Sequence, residues 1–241
     1  MKKRVFILLV LAMSLIINSA EAFYNYGDHV AQTVNYNSIT SDTDVWGTIG
    51  FSQDALMFTP TAFEVAAQDG SSASLTDTLL VEVESKPGGA YNRYIEAVRF
   101  REAGHYTLSG NGGADTLSRV TGLVTFTILE VDRNPVSLPS IETSLTFTPS
   151  GGDYYLPGDA GNLVYWSGTL NHIFGQEAKI TKLQISLSDK LEVFSENSTY
   201  SFIEKKLAGE SAVTIDVLVP EPATVCLLGL GGLALIRKRK A

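Results

Sequence analysis

Val124-Thr125-Phe126-Thr127-Ile128 is the stretch that most clearly decides the fold of this chain, because it alternates apolar and hydroxyl side chains. In an extended strand successive side chains point to opposite faces, so Val124, Phe126 and Ile128 share one face and the two threonines share the other. Turn-forming residues follow at 132–135. The stretch therefore predicts a β-strand with one buried and one solvated face.

The same alternation recurs in short runs separated by glycine, proline, asparagine and aspartate. About eight to ten such strands predict an all-β domain over residues 23–218, an antiparallel β-sandwich with a jelly-roll-like arrangement. Residues 23–46 show no period and are expected to be irregular, and short helical turns are expected at 62–68 and 200–208. A strand starting near Tyr94 is expected to end at Ala103-Gly104, and a helix over Tyr91 to Glu102 is the alternative. The other clear runs are Leu79 to Val83, Leu145 to Phe147, Leu183 to Leu187 and Val213 to Val217.

The N-terminal residues 1–22 have the three parts of a secretory signal peptide. Basic residues at positions 2–4 precede an apolar core from Val5 to Ile17, and Ala20-Glu21-Ala22 follows. The small residues at 20 and 22 predict that signal peptidase cuts after Ala22 and leaves Phe23 as the new N-terminus. The chain is therefore expected to be exported.

Residues 219–241 also consist of three parts in a fixed order. Pro220-Glu221-Pro222 comes first, and its prolines cannot continue a helix or a central strand, so they end the preceding domain in an extended segment. The apolar run from Ala223 to Ile236 is a short membrane span at about 1.5 Å of rise per residue. A terminal basic cluster resists translocation and is expected to stay in the cytoplasm. This cluster consists of Arg237, Lys238, Arg239 and Lys240.

This tail resembles the PEP-CTERM sorting signal of exported bacterial proteins in its Pro-Glu-Pro, its hydrophobic helix and its basic end. The resemblance implies that an exosortase, a membrane enzyme that cuts near this motif, recognises Pro220, Glu221 and Pro222. It also implies a transmembrane sorting helix that anchors the chain in the inner membrane only transiently. An ordinary C-terminal anchor that is never cut is the alternative. The tail predicts the destination of the protein and not the activity of the domain ahead of it.

The segment between the two targeting signals is strongly acidic. It has 11 basic and 24 acidic residues, a net charge of about −13. Such a surface repels nucleic acid, so a nucleic-acid partner is not expected. The one cysteine, Cys226, lies in the apolar tail, so the exported domain is expected to fold without disulfides.

No catalytic motif is present in the sequence. His29, His105 and His172 lack metal-ligand spacing, and there is no Gly-x-Ser-x-Gly motif. A polysaccharide-active enzyme would need two carboxylates across a cleft, an arrangement that no local motif reveals. The sequence therefore predicts a protein that is not an enzyme and has no resident cofactor.

One loop has the side chains of a shallow sugar-binding or calcium site. Residues 151–162 are rich in glycine, aspartate and tyrosine, and Tyr165 and Trp166 follow. Aromatic rings stack on sugar faces, carboxylates accept hydrogen bonds from hydroxyl groups, and aspartate oxygens also suit Ca²⁺. The alternative is a turn whose rings cover the edge of a sheet. The candidate residues for glycan or calcium binding are Asp153, Tyr154, Tyr155, Asp159 and Trp166.

These features together predict an exported cell-surface or extracellular-matrix protein with a structural or adhesive role, sorted by an exosortase-type system. The alternative is a secreted carbohydrate-binding module that binds extracellular polysaccharide, with or without calcium. Signal peptidase and an exosortase-type enzyme are the expected partners during export.

Overall fold

The computed structural model of the chain describes residues 23–88, 93–207 and 210–219. The predicted signal peptide and the tail from Pro220 onward, with its predicted membrane helix, lie outside these residues. Within them, no helix has the length and apolar character needed to cross a lipid bilayer. The described residues fall within the predicted β domain, except Val219.

Sixteen strands and two short 3₁₀ turns, Ser150–Gly152 and Gln176–Ala178, make up the regular structure of the described residues. The strands are β1 (Tyr24–Val30), β2 (Val34–Ser41), β3 (Thr48–Ser52), β4 (Ala55–Thr59), β5 (Glu64–Gln68), β6 (Ser72–Ser85), β7 (Ala97–Gly110), β8 (Leu117–Val131), β9 (Asn134–Pro135), β10 (Ile141–Ser144), β11 (Thr146–Thr148), β12 (Asp153–Tyr155), β13 (Gly161–Ile173), β14 (Ile180–Phe194), β15 (Thr199–Glu204) and β16 (Val213–Leu218).

Antiparallel pairing arranges these strands in two sheets. The first sheet has the order β1-β2-β6-β14-β8-β10, and β9 and β12 also pair with β8. The second sheet has the order β11-β13-β7-β16-β4-β3, and β15 lies between β5 and β7. One edge of β7 is shared by two strands, with β16 along Ala97–Glu102 and β15 along His105–Gly110.

The inward faces of the two sheets form one hydrophobic core. In β14 nearly every second side chain is buried, as expected when one face of a strand packs on the opposite sheet. Val124, Phe126 and Ile128 lie in this core, as their alternation predicts. The predicted all-β antiparallel sandwich is therefore confirmed. The largest fully buried side chains include Trp46, Trp166, Tyr36, Tyr154, Phe58, Phe63, Phe100 and Phe126.

The prediction of an irregular segment over residues 23–46 is wrong, because β1 and β2 pair with each other there. The alternation is hidden by a bulge: Ser38 has a φ of 51°, and the pairing of β2 with β6 shifts register between Asn37 and Thr40. The extra residue brings Ile39 into the core out of phase with Tyr36. The helical turns expected near 62–68 and 200–208 are also wrong, because β5 and β15 are paired strands.

The sequence predicts that this strand ends at Ala103-Gly104. That prediction is wrong, because β7 continues to Gly110. Gly104 is needed inside the strand: a Cβ added there would lie 1.9 Å from the backbone oxygen of Glu204 and 2.7 Å from the ring of Trp166. The glycine therefore allows the end of β15 and the indole to approach the backbone of β7 closely.

Candidate functional site

The predicted sugar-binding loop lies partly inside the core. Strand β12 points Tyr154 inward and Asp153 and Tyr155 outward. Tyr154 is fully buried and its ring stacks on that of Tyr106, with centroids 4.1 Å apart. Trp166 is fully buried as well. The assignment of Tyr154 and Trp166 to a sugar-stacking surface is therefore wrong, because neither ring has a face open to solvent.

The two aspartates of the loop have partners within the protein. Asp153 Oδ1 lies 2.5 Å from Nε of Arg119. Asp159 accepts hydrogen bonds from the backbone N–H of Tyr155 at 2.9 Å and from the hydroxyl of Ser150 at 3.3 Å. In the described part of the chain, no three His, Cys, Asp or Glu side chains come together as a metal-binding group. These contacts favour the structural alternative, a turn that Asp159 stabilises.

A groove on the outer face of the second sheet has the composition of a sugar-binding surface. Its volume is about 380 Å³ and it is lined by Tyr165, which is 52% exposed. Tyr165 pairs across β13 and β7 with His105, and their rings meet edge to face with centroids 6.1 Å apart. A second cross-strand pair, Arg101 and Thr169, adds a guanidinium and a hydroxyl. An exposed ring beside such groups can stack on a sugar and bind its hydroxyls.

A charged cluster is buried between the two sheets. Lys205 directly follows β15, Glu102 lies on β7, and Asp189 lies on β14 of the first sheet. The three side chains are inaccessible to solvent. The Lys205 amine donates hydrogen bonds to Glu102 Oε2 at 2.9 Å and to Asp189 Oδ2. The cluster therefore connects the two sheets through the core.

Aromatic rings and a glycine shape the space around this cluster. The Lys205 amine lies 4.9 Å from the ring centroid of Phe63 and 5.3 Å from that of Trp46. A Cβ added at Gly122 would lie 2.8 Å from Asp189 Oδ1, so the glycine leaves room for this carboxyl group. Aromatic faces attract a cation, and more strongly where water is absent. The surroundings therefore favour a positive charge on Lys205.

Burial controls the protonation of the cluster. Burial raises the pKa of Asp189 well above its ordinary value, and the Glu102 carboxyl raises it further, against the opposing effect of Lys205. Burial lowers the pKa of Lys205, but the Asp189 and Glu102 carboxyls outweigh this effect and raise the pKa. Lys205 is therefore expected to be an ammonium and Asp189 a carboxylic acid. Asp189 Oδ1 and Glu102 Oε1 have no hydrogen-bond partner among the described residues.

A third buried carboxyl group, that of Asp77, lies next to the cluster. Asp77 on β6 is directly opposite Asp189 on β14. It accepts hydrogen bonds from the indole N–H of Trp46 at 2.8 Å and from the Thr43 hydroxyl. Burial raises the pKa of Asp77, and these two hydrogen bonds only partly offset the rise.

The free energy of unfolding is expected to increase as the pH falls from about 7 toward about 5. Burial raises the pKa of Asp77 and of Glu204, so the folded state holds these protons more tightly than the unfolded chain. Their contribution is complete below the unfolded pKa of about 4 and is lost as the pH rises through the folded pKa. Urea unfolding at a series of pH values measures how steeply the free energy of unfolding changes with pH.

The Asp77→Asn variant is the matched control, because it keeps the shape of the side chain and removes its titration. Its unfolding free energy is expected to depend less on pH. An unchanged slope in Asp77→Asn would contradict the role assigned to Asp77.

Sequence reasoning missed this cluster because its members were counted among the surface charges. The position of each charged residue in the alternating pattern could have revealed the cluster, because it shows which face of the strand the side chain lies on. Asp189 continues the inward series of Ile185 and Leu187, and Lys205 follows Ile203 at the same spacing of two. A charged residue at an inward position is uncommon and indicates a buried partner.

Several solved structures are similar to this chain. That of TmCBM61 in complex with β-1,4-galactotriose is 12% identical, with 83% of this chain and 89% of that chain covered and a TM-score of 0.25. The carbohydrate-binding module TmCBM27, described for specific mannan recognition, is 12% identical, with coverages of 82% and 86% and a TM-score of 0.23. A native family 12 xyloglucanase from Bacillus licheniformis is 11% identical, with coverages of 83% and 99% and a TM-score of 0.21. Similarity at this level establishes neither a ligand nor an activity. No curated protein matches the chain.

The C-terminal tail is matched by a family model described as the PEP-CTERM protein-sorting motif, over residues 218–240. The match includes Pro220-Glu221-Pro222 and the basic cluster at 237–240, which lie outside the described residues. It confirms the resemblance drawn from the sequence. Such a motif indicates export and membrane anchoring by the tail before processing. This chain therefore ends in a PEP-CTERM sorting motif, the signal of exosortase-sorted exported proteins.

Proposed function

We propose that this chain is a non-enzymatic protein that becomes part of the cell surface or of the extracellular polymer matrix once its tail has been processed, and that its role there is structural or adhesive. The observation that carries the proposal is the sorting motif at residues 218–240. The proposed division of the chain is a signal peptide over 1–22, the β-sandwich over 23–218 and the sorting signal over 219–241.

The junction between the sandwich and the motif supports this proposal. The last strand, β16, ends at Leu218, which pairs with Ala97 of β7. The motif begins at the same residue, so a cut near Pro220-Glu221-Pro222 removes no part of any described strand. The processed sandwich therefore keeps its complete core.

The placement of the buried carboxyl groups supports a non-enzymatic role. A glycoside hydrolase needs two carboxyl groups that face a substrate across an open cleft. Glu102 and Asp189 face each other, but they are 1% and 0% exposed and bind Lys205 instead. A polymer chain has no access to this pair.

Intact mass spectrometry of the protein from the culture medium and from envelope fractions of the native host tests the sorting proposal. The expected mass corresponds to a chain that starts at Phe23 and ends near Pro220, and any excess mass identifies what the new C-terminus is joined to. Glu221→Ala is the matched variant, since it changes only the motif; it is expected to keep its tail and stay in the membrane. Recovery of the unmodified protein with Arg237 to Lys240 retained would contradict the proposal.

A second candidate function is polysaccharide binding, which the groove beside Tyr165 favours. The exposed ring offers a stacking face, while Arg101 and Thr169 offer hydrogen-bonding groups beside it. This composition suits a neutral or acidic sugar chain lying on the sheet. In this case the surface role would be attachment to the matrix through its glycans.

Glycan arrays probed with the exported protein, with and without a chelator, test this second function. Tyr165→Ala is expected to weaken binding about fivefold, because one stacking contact contributes on the order of 1 kcal/mol. Tyr155→Ala, on the outer side of the first sheet, is the control and is expected to leave binding unchanged. Loss of binding in Tyr155→Ala, or with the chelator alone, would place the site elsewhere.

A further inference from the structure

The buried cluster brings together the groups needed to form an amide bond. An amine and a carboxyl group are in direct contact, Lys205 Nζ with Asp189 Oδ2, and a second carboxyl, that of Glu102, lies 2.9 Å from the same nitrogen. The rings of Trp46 and Phe63 lie beside the amine. All three reacting side chains are completely buried. None of these groups is used by the functions proposed above.

We propose that Lys205 and Asp189 become joined by an intramolecular isopeptide bond between Lys205 Nζ and Asp189 Cγ, and that Glu102 transfers the protons of this reaction. The bond would form once, after folding has brought the three side chains together. It would be a covalent cross-link within one chain and would need no cofactor.

The reaction balances with the groups present. The Glu102 carboxylate first accepts a proton from the Lys205 ammonium, which leaves a neutral amine with a free electron pair. This nitrogen attacks Cγ of the protonated Asp189 carboxyl group and forms a C–N bond. Glu102 then moves a proton from the nitrogen to the departing hydroxyl, and the C–O bond breaks to release one water molecule. The products are an amide, a neutral Glu102 and water, with no oxidation or reduction.

Burial favours this reaction at the Asp189 carboxyl group, whereas the two carboxyl groups make the Lys205 amine harder to deprotonate. The high pKa of Asp189 keeps its carboxyl group protonated, the form in which its hydroxyl can leave as water. The raised pKa of Lys205 holds the amine in its charged form most of the time, so Glu102 must remove a proton before attack. Holding the two reactants in contact replaces an encounter in solution, and the dry core disfavours the ionic starting state relative to the neutral amide.

The bond would connect the two sheets. Asp189 lies in the middle of β14, which pairs with β6 and β8 in the first sheet. Lys205 directly follows β15, which pairs with β5 and β7 in the second sheet. A cross-link here would keep the sheets together even when their hydrophobic contacts are weakened. The sandwich has no cysteine between Phe23 and Val219, so a disulfide cannot hold its sheets together in place of this cross-link.

Mass spectrometry of the full exported protein tests the bond directly. The expected intact mass is one water molecule lower than that of a linear chain with the same termini. Digestion after glutamate residues leaves Asp189 on the peptide 178–192 and Lys205 on the peptide 205–210. These peptides are not adjacent in sequence, so their recovery as one joined species identifies the cross-link.

Two controls make the result unambiguous. After complete unfolding, an amine-acetylating reagent is expected to label the exposed neighbour Lys206 and not Lys205. Glu102→Gln, which keeps the size of the side chain but cannot accept the proton, is expected to have the full mass and a labelled Lys205. If the folded protein without any substitution has the mass of the linear chain and its Lys205 is labelled, the proposed bond is overturned. If Glu102→Gln is cross-linked to the same extent as the protein without a substitution, the role of Glu102 is overturned.

Discussion

Replacing Lys205 with methionine is expected to lower the free energy of unfolding by about 3–5 kcal/mol, the usual cost of removing one partner from a buried ion pair. Methionine fills most of the same space, so the loss comes mainly from the charges. Glu102 and Asp189 would lose their shared donor and remain buried. Urea unfolding of the exported protein, followed by far-UV circular dichroism, measures the change. A cross-link between Lys205 and Asp189 would make the loss larger.

The neighbouring residue provides the control for this experiment. Lys206 is exposed, so Lys206→Met is expected to change stability by less than about 0.5 kcal/mol. A triple variant, Lys205→Met with Glu102→Met and Asp189→Leu, is expected to recover most of the lost stability, because apolar residues of similar size can replace a buried ionic cluster. A loss below about 1 kcal/mol in Lys205→Met would contradict the interpretation of the cluster as a coupled unit.

Replacing Trp166 with alanine is expected to cost about 3–5 kcal/mol of stability, the range for removing a large aromatic side chain from a core. The Trp166 ring contacts Phe147, with centroids 5.9 Å apart, and covers the backbone of Gly104. Thermal or urea unfolding of the variant measures the loss. Glycan binding, if the protein has it, is expected to change only in proportion to the unfolded fraction.

Replacing the adjacent residue, Tyr165, with alanine is expected to leave stability nearly unchanged and to weaken glycan binding. Its side chain is 52% exposed, so Tyr165→Ala is expected to change stability by about 0.5 kcal/mol or less. The pair of variants therefore separates a core position from a surface position at consecutive residues of β13. A folded Trp166→Ala protein of normal stability that had lost glycan binding would restore the original assignment of Trp166 to the ligand surface.

The fold class could be predicted from the sequence because the two sheets bury one face of most strands. The run around Phe126 shows this alternation without interruption, and it lies in the core. Strand β2 could not be recognised, since the bulge at Ser38 shifts the alternation by one residue. Strand β1 could not be recognised because all its residues are exposed or half-buried. The order of strands in the sheets depends on pairings far apart in sequence, which a local pattern does not contain.

The sorting motif could be predicted because it is a continuous segment, whereas the candidate sites are assembled from distant strands. Glu102 and Asp189 are far apart in the chain and meet only when the sheets pack. Each nevertheless lies at an inward position: Glu102 two residues after Phe100, and Asp189 two residues after Leu187. The alternation that predicted the strands therefore also contained the buried charges. The same rule separates Tyr165 from Trp166, because consecutive residues of a strand face opposite sides.

The position of β16 has a consequence for the timing of export. This strand lies between β7 and β4 in the second sheet, yet it is the last described strand in sequence. A chain that crosses the membrane from its N-terminus delivers this strand after all the others. Until it arrives, β4 and the first half of β7 have no strand between them, and the sheet has a gap. With this order of delivery, the sandwich is expected to close only when β16 has emerged, directly ahead of the sorting motif.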